Sequence, residues 1–198
     1  MENRMSEAMT HKERTRARIL DEAAKAMREQ GHAGIGVARL MQRAGLTHGG
    51  FYAHFKDRDD LVAEAVGRMF EDSQAMVARY RREGDPRASL TGLIDYYLSP
   101  QHSAALSTGC PVAALNSEAP RLPPAARVRF EEGVQRFRSA IAALVSELDL
   151  RASPELASSV VAEMVGALTL SRAMADKAEA DAVLQRSRDQ LKHRLGLD

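Results

Sequence analysis

The sequence predicts an all-α protein, and three observations carry that prediction. No proline occurs before Pro86. Apolar residues recur at spacings of three and four through almost every segment, the repeat of a helix with one covered face. Glycine or proline falls where those stripes stop: Gly31, Gly45, Gly84-Asp85-Pro86 and Ser153-Pro154. A chain of 198 residues, 44% hydrophobic and 28% charged, has the composition of an ordinary globular protein and is long enough for one domain or two small ones.

The elements follow in order. A first helix is expected over His11–Gln30, with Ile19, Leu20, Ala23, Ala24 and Met27 as its stripe and Gly31 as its stop. Two short helices, Val37–Arg43 and His48–Phe55, follow with Gly45 between them. A long helix then starts at Asp57 or Arg58, carries Val62, Val66, Met69, Ser73, Met76 and Tyr80, and stops at Gly84-Asp85-Pro86. It would be roughly 39 Å long at 1.5 Å per residue. Aspartates 57, 59 and 60 suit its positive end. Beyond it come a helix over Ala88–Leu98, an irregular stretch over Ser99–Gly109, and a short helix begun by Pro111. The next long helix follows Pro120, Pro123 and Pro124, with Phe130, Val134, Phe137, Ile141, Leu144 and Leu148 as a coiled-coil-like seam. After Ser153-Pro154 a further helix runs to about Ala175, and a more polar one covers Asp181–Leu195.

Charge is distributed unevenly although the net value is only +1. Residues 1–56 hold 10 Lys/Arg against 6 Asp/Glu, a balance of +4, leaving 18 against 21, or −3, for the rest. Four of the six histidines also lie in that first stretch. A basic head (1–56) on a mildly acidic body (57–198) suits contact with phosphates. The single cysteine, Cys110, allows no intrachain disulfide and fits a reducing cytoplasm. The start, Met1–Thr10, is polar and unlike a signal peptide, and the apolar runs look far short of a membrane span, so no membrane partner is expected.

Residues 45–55, Gly-Leu-Thr-His-Gly-Gly-Phe-Tyr-Ala-His-Phe, are the most informative stretch. With Val37–Arg43 they form a helix-turn-helix pattern: Gly45 breaks, Thr47 is a good N-cap, and Phe51 and Phe55 alternate as core with the polar Tyr52 and His54. That pattern points to double-stranded DNA. The N-terminal third resembles the TetR family of one-component bacterial transcriptional repressors. The resemblance rests on Arg18-Ile19-Leu20-Asp21-Glu22-Ala23-Ala24, Gly31, Val37-Ala38-Arg39-Leu40, Arg43-Ala44-Gly45-Leu46, Thr47 through Phe55, and Leu61.

The DNA-contacting set that this resemblance implies is Arg14, Arg16, Val37, Thr47, His48, Gly49, Tyr52, His54, Lys56 and Arg58. Thr47 and His48 would enter the major groove, Gly49 would let the backbone approach, and Tyr52, His54 and Lys56 would hold phosphates. Arg58 stands where the family usually has lysine, Gly36 replaces a Ser/Thr cap, and His32 replaces a bulky residue after Gly31. Gly50 beside Gly49 costs the reading helix about 1 kcal/mol of propensity.

The resemblance also implies an effector-binding body and a homodimer. Phe70, Leu93, Tyr97, Cys110, Asn116 and Phe137 are candidate pocket residues for a small-molecule or electrophile inducer. Cys110 precedes Pro111 at a helix entry, where the positive end would favour the reactive thiolate, and a Gly-Cys-Pro stretch here resembles a subset that senses electrophiles through one cysteine. The helix after Pro154 is apolar on two sides: Leu156, Val160, Ala167, Leu170 and Met174 on one, Val161, Met164, Val165 and Leu168 on the other. Two covered faces imply a second copy, with Phe137, Ile141, Leu144, Leu148, Val161, Met164 and Leu168 in a four-helix dimer interface. No cofactor, metal site or catalytic residue is expected: His48 and His54 lack ligand spacing, and Cys110 with His102 has no third orienting group. The expected function is a ligand-responsive repressor released from a palindromic operator by a small molecule or by modification of Cys110; the alternative is a TetR-like helical protein that acts as an activator or does not bind an operator.

Overall fold

The computed structural model describes residues 10–34, 36–148 and 154–198. Among these, the fold is entirely helical. The polar start (1–9) and the turn at Ser153 lie outside the described residues.

The head is built from α1 (His11–Gln30), α2 (Val37–Arg43) and a 3-10 turn (His48–Ala53). Thr10 opens α1 through a reciprocal capping box: its hydroxyl accepts from Glu13 N–H, and the Glu13 carboxylate accepts from Thr10 N–H at 2.6 Å. Gly31 closes α1 at φ +73°, a conformation that favours glycine. Ile19, Ala23 and Met27 pack inward with Leu40, Met41, Phe51 and Phe55. Gly45 (φ +68°) turns the chain between α2 and the reading turn, where Leu46 N–H donates to Met41 O at 2.8 Å.

Helix α3 (Arg58–Tyr80) starts where the sequence predicts but ends before Gly84, at 23 residues and about 34 Å. Asp57 caps it, its carboxylate accepting from Asp60 N–H at 2.9 Å. The first half of α3 is buried between α1 and α7; beyond Phe70 none of its residues is. The body continues with α4 (Pro86–Tyr97), α5 (Pro100–Ala104), a 3-10 turn (Leu106–Thr108), α6 (Pro111–Leu115), a 3-10 turn (Ala119–Arg121), α7 (Pro124–Glu147), α8 (Pro154–Ala173) and α9 (Lys177–Arg194). Pro86, Pro100, Pro111 and Pro124 each stand in the first turn of a helix, where their missing N–H costs nothing. The stretch expected to be irregular, Ser99–Gly109, thus holds α5 and a 3-10 turn, with Ser99 capping α5 by accepting from His102 N–H at 3.1 Å. Helix α9 begins four residues earlier than expected because Asp176 accepts from both Ala178 and Glu179 N–H.

Two expectations are corrected by packing. Phe137, Ile141, Leu144, Val161, Met164 and Leu168 are buried within the single chain, at 0–6% exposure, and Leu148 packs half-buried on the same core. They hold α7 and α8 together and are not free for a second copy. The outer side of α8 is instead lined by exposed Ser159, Ala162, Thr169 and Leu170. Second, Glu155–Ala173 is long and apolar enough by composition to cross a membrane, contrary to the sequence reading. Its Val160, Val161, Met164, Val165 and Leu168 face the protein interior, the pattern of a core helix.

Candidate nucleic-acid interface and effector sites

Phe51 and Phe55 anchor the reading turn. Both are buried, their rings stacked at 5.6 Å, and Tyr52 meets Phe51 edge-on while remaining 70% exposed. Thr47, His48, Gly49 and Lys56 are exposed on the same corner. The turn is 3-10 rather than α-helical, in keeping with the weak propensity of Gly49-Gly50. Thr47 makes no side-chain cap bond, so its hydroxyl is not spent on the turn; its carbonyl accepts from Gly50 N–H at 3.1 Å. A Cβ at Gly49 would meet nothing within 4 Å, so its surface is open to an approaching ligand.

The remaining implied contacts divide. Arg14 is exposed near the start of α1. Arg16 instead pairs with Glu64 of α3 at 2.5 Å and stacks 5.0 Å over Phe55, which makes it an internal brace of the head. The Arg58 guanidinium donates to the His32 carbonyl and so ties α3 to the α1–α2 turn. Val37 is half-buried against the core. His54 is half-buried with Nδ1 unpartnered; burial, then the neighbouring Lys12, Arg16 and His11 charges, hold its imidazole below the usual histidine range. Basic charge on α1 and family spacing at His54 point to the DNA side, but neither reveals competing internal partners.

The six expected pocket residues do not meet in one cavity. Leu93, Tyr97 and Cys110 are core residues at 0–3% exposure. Phe70 and Phe137 form the floor of an open groove of about 610 Å³ between α3 and α7, whose walls include Ser73, Gln74, Val77, Gln135, Arg136 and Ala140. At the groove's inner end α3 and α7 pack closely: a Cβ at Gly133 would lie 2.3 Å from the Phe70 ring. Past that contact the helices part. Asn116 lies on a second groove, with Val134, Val161, Ala162 and Leu170, on the α7–α8 side.

Around Cys110 the structure differs from the expectation. Helix α6 has only five residues, too short for a substantial macrodipole, so the positive-end argument loses its basis. The backbone N–H of Cys110, not its sulfur, meets His102, donating to Nε2 at 3.2 Å; His102 Nδ1–H in turn donates to the Tyr97 carbonyl at 2.8 Å. No nucleophile–base pair is formed there. The buried Tyr97 hydroxyl lies beside the Cys110 thiol without hydrogen-bonding geometry to any group, and burial pushes this phenol well above its ordinary value. Arg172 of α8 holds the same segment, donating to the Ser103 and His102 carbonyls at 3.1 and 3.2 Å.

An exposed helix-turn-helix corner on a separate helical body defines the class of one-component regulators that read DNA with a head and carry a second, sensing part. Residues 19–65 match the profile of bacterial regulatory proteins of the tetR family, and residues 86–187 that of the tetracyclin repressor-like C-terminal domain. The chain belongs to the TetR family of transcriptional regulators, a family of regulators and not of enzymes. It is 27% identical over 165 residues to the transcriptional regulator BetI of Paraburkholderia phytofirmans, across 80% of this chain and 82% of that protein. It is 31% identical over 90 residues to AcrR of Shigella flexneri, a match spanning 42% of this chain and 40% of that protein. In fold it resembles a TetR regulator of Chloroflexus aurantiacus (TM-score 0.81, 23% identity, 95% of this chain and 97% of that one). The reduced form of E. coli NemR is also similar (TM-score 0.78, 16% identity, 91% and 96%).

Proposed function

We propose that this chain is a ligand-responsive repressor that binds a palindromic operator as a homodimer in the bacterial cytoplasm. The observation that supports this best is the exposed corner Thr47, His48, Gly49 and Tyr52, standing on the buried Phe51–Phe55 pair. Thr47 and His48 enter the major groove; Tyr52, Lys56 and Arg14 hold phosphates, and His54 joins them once a phosphate offsets its cationic neighbours. Residues 1–56 form the head and 57–198 the sensing and dimerising body. The outer face of α8, with exposed Ser159, Ala162, Thr169 and Leu170 and Glu155 at its start, is the surface for the second copy. The α3–α7 groove takes an inducer with an apolar body, resting on Phe70, Val77 and Phe137.

The test is binding to duplexes from the promoter beside its own gene, with a salt titration to expose phosphate dependence. Sequence-selective binding, weakened by added salt and by a groove ligand, is the expected result. A monomer indifferent to every duplex overturns the reading.

A second trigger, modification of Cys110, is favoured by one observation: the thiol lies in a packed corner between the unpartnered Tyr97 hydroxyl and the segment held by Arg172. An adduct there has no room without moving that segment. Cys110→Ser should keep operator binding and lose release by N-ethylmaleimide; unchanged release overturns this trigger.

A further inference from the structure

Head and body are joined by more than the continuous α3. Arg28, only 7% exposed, leaves α1 and donates to the Met69 carbonyl and to Asp72, both at 3.0 Å, and to the Ser107 carbonyl at 3.4 Å. One turn later a body residue reaches back. The Glu118 carboxylate occupies the space that a side chain at Gly31 would fill, with Oε1 2.0 Å from the ideal Cβ position. Its Oε2 accepts from His32 N–H at 2.9 Å and contacts His32 Nδ1 at 2.6 Å. The His32 carbonyl meanwhile accepts from Arg58, in the first turn of α3.

We infer that Glu118 is a positioning residue for DNA binding: seated against Gly31 and His32, it fixes the angle at which the head leaves α3. The inference rests on the DNA-binding reading above. Gly31 is the last word of α1, His32 begins the link to α2, and Arg58 opens α3, so one carboxylate from the body closes a ring around the base of the head. Glu118 lies three residues past the end of α6, whose Val112, with the capping Asn116, borders the α7–α8 groove. Any displacement of α6 is therefore felt at the seat. A surface carboxylate that only decorated the fold would contribute little. A carboxylate that accepts two bonds from one residue and fills a Cβ-free niche constrains direction.

Hydrogen exchange and DNA affinity together test this on the full-length protein. Glu118→Ala should speed amide exchange across residues 31–55 about tenfold while α7, α8 and α9 exchange as in wild type. Affinity for a duplex selected by the wild type from a randomised pool should fall about tenfold, a typical coupling between sites. His32→Ala, which removes the ring contact but keeps the backbone N–H, should cause part of the same loss, and the double variant should lose no more than Glu118→Ala alone, because every bond His32 makes to this seat is to that carboxylate. Glu118→Gln, which keeps the shape and an acceptor oxygen, should recover most of the affinity. Unaltered exchange over 31–55 in Glu118→Ala, or additive losses in the double variant, overturns the proposal. So does loss of the whole head's protection in Glu118→Ala with Glu118→Gln no better than Ala, the mark of a purely structural role. Should the wild type select no duplex, the DNA-binding reading falls while the exchange arm still decides the seat.

Discussion

His102 sits between two backbone partners that accept only one of its protonation states. Its Nδ1–H donates to Tyr97 O and its Nε2 accepts from Cys110 N–H, so a second ring proton would face a donor. Burial, followed by nearby Arg172, holds this histidine below its ordinary value. The unfolded chain therefore takes up the proton first. Stability is fully present above about pH 6.5 and is lost as pH falls towards the lower folded value, with a slope of at most about 1.4 kcal/mol per pH unit. Urea midpoints between pH 8 and 5 should fall more steeply in wild type than in His102→Gln, where His54 still contributes with the same sign; parallel curves would refute the assignment. Tyr52 is the opposite kind of residue: exposed, with only an edge contact to Phe51. Tyr52→Ala should change stability by less than about 0.5 kcal/mol yet weaken operator binding about tenfold, near 1.4 kcal/mol, when melting and fluorescence anisotropy are compared. Residue roles were the least legible part of the sequence. Arg16 and Arg58 have the charge and place of DNA contacts, but Glu64 and the His32 carbonyl, each far away in the chain, claim them first.

At the scale of elements, stripe and punctuation were enough to bound α1 and α2, because Gly31 and Gly45 end them by a conformation few other residues adopt. The reading turn was harder. Its apolar pair sits at helical spacing, but two adjacent glycines leave the backbone undecided, and it settles as a 3-10 turn. Gly49→Ala should raise helix preference by roughly 0.5–1 kcal/mol with no clash, since nothing lies within 4 Å. It should nonetheless weaken operator binding, because the added methyl stands where the duplex approaches; a variant both more stable and tighter-binding would refute that placement. Gly133→Ala should cost about 1–3 kcal/mol by overpacking against Phe70, read as a lowered melting temperature. The dimer residues were misplaced for a related reason. Periodicity shows that α8 is covered on two sides, but not whether its own chain or a second one does the covering.

For the whole molecule, the proposed assembly through the outer face of α8 can be tested at Leu170. Leu170 is 54% exposed in the single chain, so Leu170→Arg should fold normally. It should sediment as a monomer at micromolar concentration and lose about a hundredfold or more in operator affinity, since two half-sites no longer act together. A persistent dimer would move the interface elsewhere. The close approach of Phe70 to Gly133 has a mechanical consequence of its own. It lies near the middle of α3, with twelve residues on the head side, from Arg58, and ten on the other, to Tyr80. At 1.5 Å per residue those arms are about 18 and 15 Å. Set near mid-span, the contact divides a packed arm from an exposed one: whatever wedges the far arm outward must pivot it about Phe70 against the packing that holds the near arm.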